Sequence, residues 1–268
     1  MRRYGLARRR RIVRLRRGVF LLPSLLTTTN IFFGFVSLVM TFQGHYEKAA
    51  IFIIVAAILD GLDGRIARLM NASTEFGGEY DSLADVVSFG LAPAFLMGVW
   101  SLTPLKRGGW IAAFLFVICG AVRLARFNIQ HGASDRRWFI GLPVPMAAAV
   151  LASSVLYFEA RIDDLVIAGL FAALTLVCSL MMVSRIRYRS FKDIGLTSRH
   201  PFRVVVSMGF VIALFAWHPA LGLLVVSWGY LLSGPVLHLF LFRGGRRRSG
   251  AAPGPGTRGE SEVPSGAH

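Results

Sequence analysis

The chain has 268 residues, of which 54% are hydrophobic and only 16% are charged, and its mean hydropathy is +0.58. This composition excludes an ordinary soluble domain, because the apolar surface exceeds what one soluble core can bury. It predicts an integral membrane protein, and the net charge of +16, with arginines concentrated towards both ends, bears on how that protein sits in the bilayer.

The first segment is strongly basic, with nine arginines before Gly18. No small-residue cleavage site follows it, and further apolar segments continue along the chain, so the pattern predicts an uncleaved cytosolic arm over residues 1–19 rather than a secretory signal. Beside a membrane span, anionic lipid headgroups are a more natural partner for this arm than nucleic acid is.

Apolar runs long enough to cross a bilayer recur along the rest of the chain. Candidate helices are predicted near residues 20–43, 47–69, 81–101, 109–127, 141–158, 163–184, 202–217 and 220–242. The last two form one apolar stretch interrupted by His218-Pro219, which predicts a tight hairpin because proline disfavours helical geometry in the residue before it. We therefore predict an all-α, polytopic transmembrane bundle of about eight helices.

Four aspartates flank the ends of the second and third predicted spans. Asp60 and Asp63 are three residues apart, and Asp81 and Asp85 are four apart, so each pair projects from one face of a helix. Two facing helices can therefore bring the four carboxylates to one site. A single aspartate near a helix end is most simply a helix cap, but four at this spacing favour a functional site.

A cluster of four carboxylates needs a positive partner, because ionised carboxylates at membrane depth are costly and repel one another. A divalent cation is the simplest partner, and oxygen-only ligands suit Mg²⁺ or Mn²⁺. Because Mg²⁺ commonly binds substrate phosphates as well, the pattern predicts a phosphorylated substrate. Two ions would clamp the attacking and leaving oxygens of a displacement at phosphorus.

The pattern around the aspartates resembles the complete signature of the CDP-alcohol phosphatidyltransferase family. It reads Asp60-x-x-Asp63-Gly64-x-x-Ala67-Arg68-x8-Gly77-x3-Asp81-x3-Asp85. The resemblance implies that Asp60, Asp63 and Asp81 are metal ligands. It also implies that Asp85 contacts the second metal ion and serves as general base towards the acceptor hydroxyl, with CMP as the leaving group.

The same resemblance implies a binding region for the CDP moiety. Gly64, Arg68 and Gly77 would contact it, and Asn30, in the polar string Thr27-Thr-Thr-Asn30 near the cytosolic end of the first span, would face the diphosphate. Helix capping is the alternative role for Asn30. A homodimer is expected from the family resemblance alone.

Three further strings resemble the bacterial phosphatidylserine synthases of this family. They are Arg123-Leu-Ala-Arg126-Phe-Asn128, Gly141-Leu-Pro143-Val-Pro145 and Ser184-Arg-Ile-Arg187-Tyr-Arg-Ser-Phe191-Lys192. This resemblance implies CDP-diacylglycerol as donor and L-serine as acceptor.

The first of these strings supplies candidate groups for binding the acceptor or its phosphate. Arg123 and Arg126 lie three apart on one helix face, with Asn128 just beyond, and offer donors for a carboxylate or a phosphate. Snorkelling of the two arginines to the headgroups is the alternative. Serine is compatible with these cations, and so are glycerol 3-phosphate and inositol phosphate.

Two alternative interpretations, a different enzyme mechanism and a transporter, make different predictions for the sequence. Another class of phosphatidylserine synthase uses a covalent histidine in an H-x-K string, but none of the six histidines here begins one. We therefore expect a metal-assisted single displacement. A membrane transporter with an acidic midplane site is the non-enzyme alternative, and it predicts repeat symmetry and broken helices, which the sequence does not show.

Positive charge divides unequally between the two predicted sides of the membrane. With both termini in the cytosol, the cytosolic segments collect twenty-three Lys and Arg, whereas the other side has Lys48, Lys106, Arg107 and Arg161. This predicts a multi-pass protein of the cell (inner) membrane whose active site faces the cytosol. We divide the chain into the arm, a transmembrane catalytic domain over 20–242 and a disordered cytosolic tail over 243–268.

Overall fold

The computed structural model of the protein describes residues 24–69, 75–129, 138–189 and 201–248. The basic arm predicted over residues 1–19 lies outside these ranges. The helices are α1 (Ser24–Phe42), α2 (Tyr46–Leu69), α3 (Glu75–Asp85), α4 (Ala92–Trp100), α5 (Arg107–Ile129), α6 (Val144–Phe158), α7 (Leu165–Val183), α8 (Pro201–Trp217) and α9 (Pro219–Arg248). A π-helical turn, Val86–Leu91, joins α3 to α4 without a break, so the described ranges hold eight continuous helices and confirm the predicted bundle.

Five of the described helical segments are long and apolar enough to cross a membrane. They are Ser24–Phe42, Phe76–Trp100, Arg107–Ile129, Leu165–Val183 and Pro219–Val236. Helix α2 has 24 residues, but its apolar run is interrupted by Asp60, Asp63 and Arg65. Helices α6 and α8 are shorter, with 15 and 17 residues. The chain is a membrane protein, and the helix that departs most from a purely apolar span is the one that carries the first aspartate pair.

Helix α6 is the central element of the bundle. It is largely apolar and mostly buried, as expected for a helix in the interior, and it packs against α2 and α9. Pro143 caps it and Pro145 lies in its first turn, where a missing backbone N–H leaves no hydrogen bond unmade. Helices α5 and α7 pack along each other beside it.

The loops at the end of the bundle away from the aspartates are short and have clear local causes. Gly44 has a φ of +80°, which allows the turn between α1 and α2. The carboxylate of Asp164 accepts hydrogen bonds of 2.9 Å from the amides of Val166 and Ile167 and so caps α7. The predicted hairpin at His218-Pro219 is present, since α8 ends immediately before it and α9 begins within it.

The division of the chain into an arm, a catalytic domain over 20–242 and a tail stays a prediction, and the described helices near its two ends are as follows. Helix α9 continues to Arg248, past the helix end predicted at residue 242, although the added segment contains Gly244 and Gly245. Residues 249–268 of the predicted tail lie outside the described part of the chain. At the other end, α1 is described from Ser24.

A short antiparallel ribbon, which the sequence did not predict, lies between the helices. Strand β1 (Trp138–Ile140) pairs with strand β2 (Arg187–Arg189), with Phe139 opposite Tyr188. Gly141 follows β1 with a φ of +78°, and a Cβ there would lie 2.3 Å from the carbonyl oxygen of Met182. The Gly-Leu-Pro-x-Pro string is therefore a tight turn that brings the ribbon against the end of α7.

Candidate active site

The acidic site is built where α2 and α3 face each other. Asp60 and Asp63 lie on α2, and Asp81 lies on α3. One carboxylate oxygen from each of these three residues lies within 4.8 Å of the others. The i, i+3 spacing on α2 places its two carboxylates on one face, and the third carboxylate reaches them from α3.

Asp85, at the end of α3, completes this acidic cluster. Its side chain is only 8% exposed, and it lies close enough to Asp60, Asp81 and Asp63 to interact electrostatically with all three. It also interacts with the guanidinium of Arg123 from α5. The structure thus brings together all four aspartates that the sequence singled out, with one buried cation next to the last of them.

Several carboxylate oxygens of the cluster have capacity for a ligand. Oδ1 of Asp81 and Oδ1 of Asp85 are buried and have no hydrogen-bond partner among the described residues. Asp63 accepts a 3.4 Å hydrogen bond from the hydroxyl of Thr27 on α1. Carboxylates packed this closely repel one another and are costly to bury, so the donor set fits a hard divalent cation bound through oxygen. Asp60, Asp63 and Asp81 are the residues whose oxygens lie close enough together to hold it, and Asp85 is their neighbour.

Asn30 lies in α1 and is completely buried. Neither the Nδ2 nor the Oδ1 atom of its side chain has a hydrogen-bond partner in the described part of the chain. A buried amide without partners costs about 1–3 kcal/mol, so this side chain is suited to a polar ligand that enters the site. Its backbone carbonyl, by contrast, accepts a 2.9 Å hydrogen bond from the hydroxyl of Ser88.

The π-helical turn begins at the residue after Asp85 and carries Ser88. Such turns are rare and occur often at functional sites. Helix α1 approaches this turn very closely, since a Cβ at Gly34 would lie 2.5 Å from Oγ and 2.8 Å from Cα of Ser88. Sequence reasoning missed both residues; the available signal was a glycine and a small polar residue within otherwise apolar runs.

The glycines predicted to contact a nucleotide have different surroundings. A Cβ added at Gly64 would meet no atom within 4 Å, so there is space beside the backbone of α2 next to Asp63. Gly77 lies on α3, one turn before Asp81. Arg68 lies in the last turn of α2, and its side chain is outside the described part of the structure.

The three predicted acceptor residues on α5 are placed differently from one another. Arg123 is buried, with 9% of its surface exposed, and its Nε has no hydrogen-bond partner among the described residues. Arg126 is half-buried, one turn further along the helix. The amide of Asn128 donates to Oγ of Ser82 at 3.0 Å and to Oε2 of Glu79 at 3.5 Å. Asn128 therefore connects α5 to α3, whereas Arg123 lies against the acidic cluster.

Comparison with known proteins agrees with this arrangement. The family model described as CDP-alcohol phosphatidyltransferase matches residues 20–183. The chain is 36% identical over 229 residues to the CDP-diacylglycerol–serine O-phosphatidyltransferase of Helicobacter pylori (strain ATCC 700392 / 26695), which covers 83% of this chain and 93% of that protein.

Two further relatives match a shorter part of the chain. The CDP-diacylglycerol–serine O-phosphatidyltransferase of Bacillus subtilis (strain 168) is 33% identical over 64% of this chain and 91% of its own length. The archaetidylserine synthase of Methanothermobacter thermautotrophicus is 34% identical over 65% of this chain and 72% of its own length. The matched region of the family model contains every predicted site residue on α1, α2, α3 and α5.

Proposed function

Because the chain belongs to the CDP-alcohol phosphatidyltransferase family, we propose that it transfers the phosphatidyl group of CDP-diacylglycerol to the hydroxyl of L-serine and releases CMP. The observation that carries this proposal is the position of one buried guanidinium, that of Arg123, beside the last of four converging carboxylates. An acceptor that has both a hydroxyl and a carboxylate matches that pair of groups. The printed names of the relatives support serine as this acceptor.

The proposed donor site uses the polar groups around the cluster. The amide of Asn30, the open backbone at Gly64, and Arg68 and Gly77 bind the CDP moiety, while the acyl chains remain in the bilayer. The unpartnered and fully buried Asn30 side chain supports its part in this site. A diphosphate oxygen would accept from Nδ2, which removes the cost of burying that donor.

The acidic cluster is the proposed metal centre, and the family is generally dependent on divalent metal. Asp60, Asp63, Asp81 and Asp85 would hold Mg²⁺ or Mn²⁺, with two ions expected. Bound there, the metal supplies Lewis-acid stabilisation of charge on the phosphate oxygens. Oxygen-only ligands at close mutual distance support this assignment.

The chemical step follows from the position of Asp85. The serine hydroxyl oxygen forms a bond to the phosphorus that carries the diacylglycerol, and Asp85 accepts the hydroxyl proton as general base. The bond between this phosphorus and the oxygen of CMP breaks, and CMP leaves with its electron pair. Arg123 orients the acceptor through its carboxylate by charge-assisted hydrogen bonds, with Arg126 and Asn128 nearer the rim of the site.

The cellular setting is part of the same proposal. We place the protein in the cell membrane, with the acidic site open to the cytosol, where CDP-lipids and serine meet, and we expect a homodimer. The apolar outer surface of the bundle supports contact with lipid, because large apolar side chains on several helices are exposed, among them Phe32, Phe35, Ile111, Phe114, Leu170, Leu180, Phe210 and Ile212.

The test is CMP release by the purified protein with CDP-diacylglycerol and Mg²⁺ or Mn²⁺. L-serine, glycerol 3-phosphate and inositol 1-phosphate are supplied in separate reactions. Release that depends on L-serine supports the proposal. Release with either phosphate acceptor and not with serine would overturn the choice of acceptor, and no release with any acceptor by well-folded protein would overturn the enzymatic proposal.

A further inference from the structure

The ribbon formed by β1 and β2 is joined to α9 through Tyr188. This side chain is fully buried, and its ring stacks on that of Tyr230, with ring centroids 5.5 Å apart and an angle of 28° between the planes. Its hydroxyl donates a 3.2 Å hydrogen bond to the backbone carbonyl of Leu231. Burial raises the pKa of Tyr188 to about 12, and the hydroxyl is a donor at neutral pH, as that of an ordinary tyrosine is.

The sequence of α9 explains why Tyr188 fits at this place. Pro235 lies inside the helix and has no N–H, so it cannot donate to the carbonyl four residues earlier, which belongs to Leu231. The hydroxyl of Tyr188 supplies the missing donor. Gly234 leaves the space for the ring, because a Cβ there would lie 2.3 Å from Cζ of Tyr188. The Gly234-Pro235 pair is thus a seat for one tyrosine from the ribbon.

Tyr230, which stacks on the seated tyrosine, lies near Arg123. It is 9% exposed and interacts electrostatically with Arg123, which in turn interacts with Asp85. The carboxylate of Asp85 and the phenol of Tyr230 attract the Arg123 guanidinium to different extents, so together they influence its orientation. The ribbon therefore contacts Tyr230 through Tyr188, and Tyr230 lies near Arg123, which lies near Asp85.

We infer that Tyr230 is a positioning residue, held by the seated Tyr188, that directs the Arg123 guanidinium towards the carboxylate of the acceptor. The inference rests on the proposed function, and it assigns selectivity for an acceptor carboxylate to a pair of aromatic side chains outside the family's aspartate signature. Without the hydroxyl of Tyr230, the attraction of the Arg123 guanidinium to the Asp85 carboxylate is unopposed, and the guanidinium is less available to the acceptor.

The experiment compares Tyr230→Phe and Tyr188→Phe with the wild-type protein, with Tyr157→Phe as the matched control. Tyr157 is also a tyrosine, but it is 45% exposed, and its ring contacts are an edge-to-face contact with Phe158 and a tilted one with His218. Purified full-length protein is assayed with CDP-dioleoylglycerol and Mn²⁺. The acceptors are L-serine and L-serinamide, which keeps the hydroxyl and amine of serine but has a neutral carboxamide.

We expect the KM for L-serine to rise about tenfold in Tyr230→Phe, while the KM for CDP-dioleoylglycerol and the kcat stay within twofold of wild type. The preference for L-serine over L-serinamide falls by a similar factor. Tyr188→Phe changes the same quantities in the same direction by a smaller factor, and Tyr157→Phe changes none of them. A merely structural role would lower kcat for both acceptors equally and leave their ratio unchanged.

The outcomes separate this inference from the function on which it rests. If the wild-type protein shows turnover with L-serine but Tyr230→Phe keeps the wild-type preference over L-serinamide, the inference is overturned and the proposed function stands. If the wild-type protein shows no turnover with L-serine, the proposed function itself fails, and the inference fails with it.

Discussion

The hydroxyl of Ser88 donates a 2.9 Å hydrogen bond to the backbone carbonyl of Asn30. This bond joins α1 to the π-helical turn that begins immediately after Asp85. It therefore fixes the helix that carries a fully buried, unpartnered amide relative to the proposed general base. The glycine one turn further along α1, Gly34, permits this contact because any side chain there would collide with Ser88.

The contact between α1 and the π-helical turn is tested by Gly34→Ala. The new Cβ would lie 2.5 Å from Oγ of Ser88, and overpacking of this kind costs about 1–3 kcal/mol. We expect a lower melting temperature and a loss of CMP release of about tenfold or more. The control is Gly169→Ala on α7, where the added Cβ meets no atom within 4 Å; equal effects of the two variants would contradict a specific role for this contact.

The buried amide of Asn30 is predicted to lower the stability of the protein and to strengthen the binding of CDP-diacylglycerol. In Asn30→Leu, an apolar side chain of similar size replaces a buried amide that has no partner in the described structure, so we expect the free energy of unfolding to increase by about 1 kcal/mol or more. The KM for CDP-diacylglycerol should rise by about 10–100-fold, as expected for the loss of a hydrogen bond to a charged phosphate. Thermal melts and initial rates measure the two effects, and a destabilised variant with unchanged KM would show that the amide serves the fold.

The acidic cluster is predicted to bind divalent metal in the absence of substrate. Chelation with EDTA should abolish CMP release, and added Mg²⁺ or Mn²⁺ should restore it. Asp81→Asn should weaken Mn²⁺ binding, measured by electron paramagnetic resonance, by about tenfold or more, because it removes a charged ligand. Asp163→Asn is the control, since Asp163 is exposed and pairs with Arg161 away from the cluster. Unchanged Mn²⁺ binding in Asp81→Asn would contradict the assignment.

The seat for Tyr188 on α9 is tested by Gly234→Ala. A methyl group at this position would occupy the volume of the tyrosine ring, so the hydroxyl could no longer reach the Leu231 carbonyl that Pro235 leaves without a donor. We expect a loss of stability of about 1–3 kcal/mol. Gly229→Ala is the matched control on the same helix, because its Cβ would meet no atom within 4 Å. If both substitutions had the same small effect, the seat would not contribute to folding.

The parts of the structure that were predictable depend on local periodicity. Apolar runs predicted the eight helices, and His218-Pro219 predicted the hairpin between α8 and α9. The grouping of Asp60 with Asp63, and of Asp81 with Asp85, follows from helical spacing alone. The approach of the Asp81 carboxylate to those on α2 does not follow from spacing, but the cost of isolated carboxylates in a membrane favours it.

The parts that were not predictable depend on contacts between residues far apart in the chain. The π-helical turn after Asp85 has no signature in its own sequence. Its close contact with α1 depends on Gly34, where a side chain would collide with the turn. The ribbon depends on a tyrosine whose partners, Tyr230 and Leu231, lie more than forty residues away. The sequence around Arg187 resembles that of phosphatidylserine synthases, but only the structure shows that Tyr188 in this string packs against α9.

The most direct test of the proposed reaction is the transfer of isotope-labelled L-serine into lipid by purified protein, with CMP measured in the same reaction. We expect one labelled lipid molecule for each CMP released, strict dependence on CDP-diacylglycerol, and a loss of about 10²–10⁴-fold in Asp85→Asn, the range typical for removal of a general base. Label in lipid without matching CMP, or an Asp85→Asn variant as active as the wild type, would contradict the proposed mechanism.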